Sequence, residues 1–345
     1  MSVMRDEIFE QPEVIARLAS RPEAYRAAAG EARAAGARFV LYAARGTSDN
    51  AAVYGKYLAT IVAGLPAGLA VPSAATVYDA AIDFRECLVI GISQSGVTPD
   101  VTEYVAQARE RGAFTVAITN DEGSRLAGAA HRVLATGAGL ERAVAATKTY
   151  TSQLAALALF WAEWTGDGTV PEMMSAAVPQ AMTAALSLEP RADELAGRLR
   201  AAERLLVTSR GYNYATALET ALKLKETSYV AAMPYSAADL MHGPIAVVEP
   251  AYPVLAFAPA GRTQAGMLET IAELGRRGAD VSVVTQAGTA APGATAVLEL
   301  PQELPEALSP LAAILPGQLF ACHLALARGL DPDRPRGLNK VTRTY

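Results

Sequence analysis

The sequence predicts an α/β protein of two tandem domains, each a parallel sheet flanked by helices in a doubly wound αβα sandwich. Three observations predict it: the chain repeats itself, short apolar runs alternate with helix-period stretches, and 345 residues suit two cores of ordinary size.

The repeat is visible in three strand-like segments. FVLYAARGTSDN carries Arg45-Gly46 and RLLVTSRGYNYA carries Arg210-Gly211, an offset of 165 positions. VIGISQSGVT and VLAFAPAGRT keep it, with Val89, Gly96 and Thr98 matching Val254, Gly261 and Thr263. RGAFTVAITN and RGADVSVVTQ pair Gly112 with Gly278, one position further on. In each half, runs such as FVLYAA, CLVIGIS and FTVAIT are bounded by stretches of helical period, the pattern of a buried parallel sheet covered by helices. The segments Arg5 to Ala35 and Val170 to Arg200 are rich in Ala, Leu, Glu and Arg and read as helices, with Pro171 and Pro179 marking a boundary. The expected organisation is an N-terminal helical segment (1–35), a first α/β domain (36–168), connecting helices (169–200), a second α/β domain (201–330) and a tail (331–345).

Composition excludes several classes. Apolar residues make up 51% and charged residues 19%, a globular balance, and the net charge of −5 comes from 30 basic residues scattered among 35 acidic ones. No basic stripe is present for a nucleic-acid backbone or an anionic membrane. The polar N-terminus lacks an apolar signal core and no run of about 18 apolar residues occurs, so a cytoplasmic protein is expected. Cys87 and Cys322 sit in apolar runs, as buried free thiols do. His131, His242 and His323 are far apart, so no metal-ligand spacing exists and no metal is expected. Gly137-Ala138-Gly139 lacks the third glycine of a dinucleotide loop, and no phosphate-binding G-x-x-x-x-G-K-[ST] occurs, so no cofactor is expected. Ser93-Gln94-Ser95 lacks the G-x-S-x-G elbow of a hydrolase.

Ligands of open parallel sheets bind beyond the carboxyl ends of the strands, which directs attention to the loops after FVLYAA and CLVIGI. Ser93, Ser95 and Thr98 supply three hydroxyls around Gly96, and Pro99-Asp100 open a helix. Hydroxyls, backbone N–H groups and the positive helix end converge on a phosphate-sized volume, which favours anion binding over a capped turn. Thr47, Ser48, Asp49 and Asn50 offer further polar groups, as part of a pocket or as a helix cap. The second half replaces the hydroxyl loop by Ala258-Pro259-Ala260-Gly261, so the halves are expected to have specialised. It carries instead Glu219, Lys223 and Glu226 at i, i+4 and i+7, beside Lys225, a functional face or an ordinary solvated one. His242 precedes a Gly-Pro turn and is the best acid–base candidate among the histidines, while His131 and His323 lie on apolar segments and read as structural.

The strings EIFEQPEVI, RGTSDN, ISQSGVTPD, VAATKTYTSQL, ALETALKLKETSY, the His-Gly-Pro turn and PRGLNKVTRTY, in this order, resemble the sugar isomerase (SIS) superfamily. Within it they resemble the isomerase half of glutamine-dependent glucosamine-6-phosphate synthases. The resemblance implies two flavodoxin-like SIS domains in which Ser93, Gln94, Ser95 and Thr98 hold a sugar phosphate and Thr47, Ser48 and Val144 complete the pocket. It implies that Glu226 moves a proton between C1 and C2, that His242 assists ring opening from a second subunit, and that Lys223 and Lys340 lie near the sugar carbonyl. A homodimer with its active site at the subunit interface follows from it.

Departures qualify the reaction. Met1-Ser2 stand where the synthase carries a glutaminase domain, so glutamine is not expected to supply nitrogen. The leading expectation is deamination of glucosamine-6-phosphate, or a close hexosamine 6-phosphate, to a ketose 6-phosphate and ammonia, as in stand-alone SIS deaminases. Ala146 replaces a usual serine, and Asp239 and Met241 replace Glu and Lys. With an N-acetylated substrate the same base would expel the C3 hydroxyl, making a dehydratase of N-acetylglucosamine-6-phosphate. From another class, a sensing SIS module would bind a sugar phosphate without reacting it; two units, a candidate base and no basic helix-turn-helix favour an enzyme.

Overall fold

The computed structural model describes residues 2–340, and these form two compact units. The first-half unit comprises residues 13–141 and 148–176 with residues 339–340; the second-half unit comprises residues 2–12, 142–147 and 177–338. Residues 341–345 of the expected tail lie outside the described residues.

The first-half sheet consists of β1 (Phe39–Ala43), β2 (Ala67–Leu69), β3 (Cys87–Ile92), β4 (Phe114–Thr119) and β5 (Arg132–Ala135), all parallel, in the order β2-β1-β3-β4-β5. The second-half sheet consists of β6 (Arg204–Ser209), β7 (Ala231–Ser236), β8 (Pro253–Ala258), β9 (Asp280–Gln286) and β10 (Ala296–Leu300), in the order β7-β6-β8-β9-β10. The two orders coincide, so the sequence repeat is a repeat of topology. β3, β4 and β8 are buried from their second residue onward, which is why they read as continuous apolar runs rather than alternating ones.

In the first-half unit the helices Pro22–Ala34, Thr47–Ile61 and Lys148–Thr165 pack together on one face. Pro99–Glu110, Pro72–Thr76 and Arg125–Ala129 cover the other, over a core that includes Phe84, Val89, Val101, Tyr104 and Leu126. Trp161 Nε1 donates to the Tyr42 hydroxyl (3.0 Å), which donates to the Gly55 carbonyl (2.8 Å), locking β1 and two helices. Gly55 is required there, because a Cβ would lie 2.7 Å from Tyr42 Cε1. In the second-half unit, Tyr214–Ser228, Glu189–Arg198 and Ala177–Leu186 pack around Ser309–Ala327, while Gln264–Arg276 and Ala237–Met241 pack toward the sheet. Ser309–Ala327 is long and apolar enough to cross a membrane, but 83% of its 18-residue apolar window is buried within the protein, the position of a core helix.

The segment 1–35 folds as three helices, Val3–Phe9, Gln11–Leu18 and Pro22–Ala34, and is divided: residues 2–12 belong to the second-half unit. Pro171 and Pro179 are each the third residue of a helix, Thr169–Ser175 and Ala177–Leu186, in a first turn whose N–H groups lack helical acceptors. The two units part between these helices.

Gly91 in β3 sets how closely the covering helices approach, since a Cβ there would lie 2.6 Å from Val105 Cγ2 and 2.9 Å from Leu126 Cδ1. Gly91→Ala is expected to destabilise the protein by about 1–3 kcal/mol through overpacking, measured by urea unfolding; a change below about 0.5 kcal/mol, the size of an indifferent surface substitution, would contradict this packing.

Candidate active site

In the order β2-β1-β3-β4-β5 the chain leaves β1 and β3, which are neighbours, in opposite directions, so the loops at their carboxyl ends flank a crevice. The loop after β3 is stitched to β4: Ser93 N donates to Ile118 O (3.1 Å), and Asn120 N (3.0 Å) and Thr119 Oγ1 (3.2 Å) donate to Gln94 O. Gly96 sits at φ +61°, where an added Cβ would run into Ser124 and lie 2.9 Å from Thr119 Oγ1. Only glycine fits this corner. Ser93 is buried, its Oγ accepting from Gly96 N (3.2 Å) and lying 3.0 Å from Thr98 Oγ1. Thr98 is the N-cap of Pro99–Glu110, yet its side chain makes no capping bond; the hydroxyl turns to Ser93 instead. Gln94 and Ser95 are half-buried beside them.

Across the crevice, Gly46 at φ +56° is the N-cap of Thr47–Ile61. Neither Ser48 nor Asp49 caps that helix: Ser48 is buried and accepts from Gln153 Nε2 (3.0 Å), and burial pushes the Asp49 carboxyl up. Arg45, passed over in the sequence, reaches from this loop to the buried Asp100 in the first turn of the facing helix (Nη2–Oδ2 2.6 Å). The Arg-Gly pair shared by both halves was the available signal.

The second-half unit holds the carboxylates. On Tyr214–Ser228 the Lys223 ammonium lies 3.4 Å from Glu219 Oε1 and 2.5 Å from Glu226 Oε2. Glu219 and Lys223 are fully buried, so this is no solvated face; Glu226 keeps 23% of its side chain exposed. Lys225 points outward. His242 ends Ala237–Met241 on an exposed turn, before Gly243 at φ +127°. Val144 also belongs to this unit. Its N–H donates to Asp333 O (3.1 Å), and Glu7 holds the same loop by accepting from Arg142 N (2.5 Å) and Ala143 N (3.2 Å). Asp333 meanwhile accepts from Val3 N (2.8 Å) and Met4 N (2.7 Å) at the start of the first helix.

Lys340 falls in the first-half unit, where its Nζ lies 3.2 Å from Oε2 of Glu141. Glu141 is buried and also accepts from Thr149 N (3.2 Å) and Thr149 Oγ1 (2.6 Å), so the tail lysine is held by a carboxylate that sequence reasoning overlooked. The other histidines are occupied elsewhere. His131 stacks on Phe114 with Nδ1 taking the Thr115 N–H (3.1 Å), and burial pushes its pKa down. His323 lies between Glu189 (3.0 Å) and Asp193 (3.3 Å).

Two copies of one five-stranded parallel sheet, each with a crevice at its strand ends, define a tandem doubly wound α/β protein. The SIS domain model matches residues 35–162 and 198–328, and the chain belongs to this family. It is 37% identical over 351 residues, 98% of its length, to the glutamine–fructose-6-phosphate aminotransferase [isomerizing] of Pyrococcus horikoshii, and spans 57% of that protein. Among solved structures it is similar to the C-terminal domain of glucosamine-fructose-6-phosphate aminotransferase from Francisella tularensis, with TM-score 0.88, 28% identity, and 97% and 98% of the two chains covered. It is also similar to a protein assigned as a phosphosugar isomerase from Silicibacter pomeroyi, with TM-score 0.87, 33% identity, and 96% and 100% covered.

Two outcomes are expected from this geometry. Gly96→Ala should weaken inorganic phosphate binding at least tenfold, by titration calorimetry, because the strained corner would displace Ser93 and Thr98; unchanged affinity would remove the loop from phosphate binding. Burial pushes the Cys322 thiol up to about 11, and the Cys87 thiol is raised too. Burial therefore keeps Cys322 protonated at pH 8, so a disulfide reagent should modify it far more slowly than a free thiol, with both cysteines reacting in denaturant. Rapid labelling of Cys322 in the native protein would contradict its burial.

Proposed function

We propose that the chain is an amino-sugar phosphate isomerase and deaminase, converting glucosamine-6-phosphate or a close hexosamine 6-phosphate to a ketose 6-phosphate and ammonia. One observation carries the reading: Glu226, partly accessible, lies 2.5 Å from a buried lysine. In the open-chain substrate Glu226 removes the C2 proton and returns it to C1. The enolamine between the two forms develops charge that the adjacent ammonium stabilises. The resulting C2 imine takes up water and releases ammonia, leaving the ketose. Ser93, Gln94, Ser95 and Thr98 grip the phosphate, with Thr47, Ser48 and Val144 closing the pocket. His242 assists ring opening, and Lys340 lies toward the carbonyl end. The family membership and the isomerizing relative support proton transfer between C1 and C2.

A homodimer that places His242 beside the sugar of the other subunit belongs to the same proposal. The test supplies glucosamine-6-phosphate and follows ammonium and fructose-6-phosphate together. Equimolar appearance of both is expected; no release at saturating substrate would refute deamination, and a product absorbing in the near ultraviolet from the N-acetylated sugar would establish dehydration instead. Glu226→Gln should lower kcat by roughly 10²–10⁴-fold while sugar-phosphate binding persists. Unchanged turnover would remove Glu226 from the mechanism.

A further inference from the structure

The second half keeps the crevice of the first but fills it from within. Its switch point lies between β6 and β8, and the loop after β8 carries Gly261 and Thr263, the repeat partners of Gly96 and Thr98. A carboxylate occupies the donors of that loop. Glu306 Oε2 accepts from Arg262 N (2.8 Å), and Glu306 Oε1 accepts from Thr263 N (3.1 Å) and Thr263 Oγ1 (2.7 Å). Thr263 is the N-cap of the 13-residue helix Gln264–Arg276 and, like Thr98, makes no capping bond with its side chain; its hydroxyl goes to Glu306. Gly261, at φ +144°, gives the carboxylate its room, since a Cβ there would lie 2.5 Å from Glu306 Cγ.

The first half supplies the contrast. Glu141 and Glu306 are 165 positions apart, each in the loop before the last helix of its half. Glu141 turns to Thr149 and Lys340, and among the described residues no carboxylate bonds the Ser93–Thr98 loop; Glu306 turns into the matching loop. Two backbone N–H groups at a helix start and a threonine hydroxyl, converging on two carboxylate oxygens, are a donor set for one phosphate face as well.

We propose that Glu306 is a built-in anion that occupies a second phosphate cradle, so that the chain takes sugar phosphate in its first half only. The side chain supplies in cis the negative charge that a ligand supplies in the first half. It thereby sets both the stoichiometry of binding and the half that receives substrate.

Inorganic phosphate is the probe. By titration calorimetry Glu306→Ala should bind one more phosphate per chain than the unaltered protein, and adding Thr263→Val should remove the gain. The comparison is with the unaltered chain, so it holds whether that chain binds one phosphate or, with the proposed function refuted, none. Glu306→Ala, which empties the cradle, should unfold at a lower temperature and regain the loss as phosphate is raised. If Glu306→Ala does not fold unaided, phosphate should restore its refolding yield. Phosphate uptake, unfolding temperature and refolding yield no more phosphate-dependent in this variant than in the unaltered protein would make Glu306 a loop staple and overturn the proposal.

Discussion

A parallel sheet whose first strand in chain order lies in the interior has one place where neighbouring strands send the chain to opposite sides, and the two halves of this molecule differ in what stands there. At β1/β3 and at β6/β8 the loop after the second of the two strands brings backbone N–H groups to side-chain acceptors, Gly96 N to Ser93 Oγ in the first half and Arg262 N and Thr263 N to Glu306 in the second. Such a concentration of donors requires an acceptor. The halves meet the requirement differently: hydroxyls that bond one another in the first, a carboxylate of the chain's own in the second.

The same constraint explains why the catalytic proposal is distributed. In the second half Glu306 takes the donors of the crevice loop, and the helix after the first strand carries the Glu219–Lys223–Glu226 cluster. Tyr214–Ser228 is packed against Ser309–Ala327 so closely that a Cβ at Gly317 would collide with Thr220 Oγ1. Tight packing on that side buries Glu219 and Lys223 completely, and the pair survives burial because each neutralises the other.

The repeat, the strands and the hydroxyl loop were legible because they are local: glycine, threonine and apolar runs recur at a fixed offset. What the sequence hid are bonds between distant positions. Nothing in EIFEQ announces that Glu7 accepts from Arg142 and Ala143, or that Asp333 accepts from Val3 and Met4, and these bonds draw the first helix into the second-half unit. Glu141 and Glu306 lie in unremarkable loops, and their roles depend on which way a side chain turns. Spacing alone left Glu219, Lys223 and Glu226 open, since a solvated helix face has the same periodicity as a buried one; only the helices packed over it decide.

Burial also separates the two carboxylates that flank Lys223. Glu219 has no exposed side-chain surface, so no substrate carbon can reach it. Glu226 lies closer to the ammonium and opens to solvent over 23% of its surface. Protonating it leaves the Glu219–Lys223 pair intact, and in the proposed reaction the charge removed from the carboxylate would reappear on the substrate oxygen, within the field of the same ammonium. Both carboxylates pair with Lys223, so accessibility is the physical ground for proposing Glu226 rather than its buried neighbour as the group that moves the carbon-bound proton.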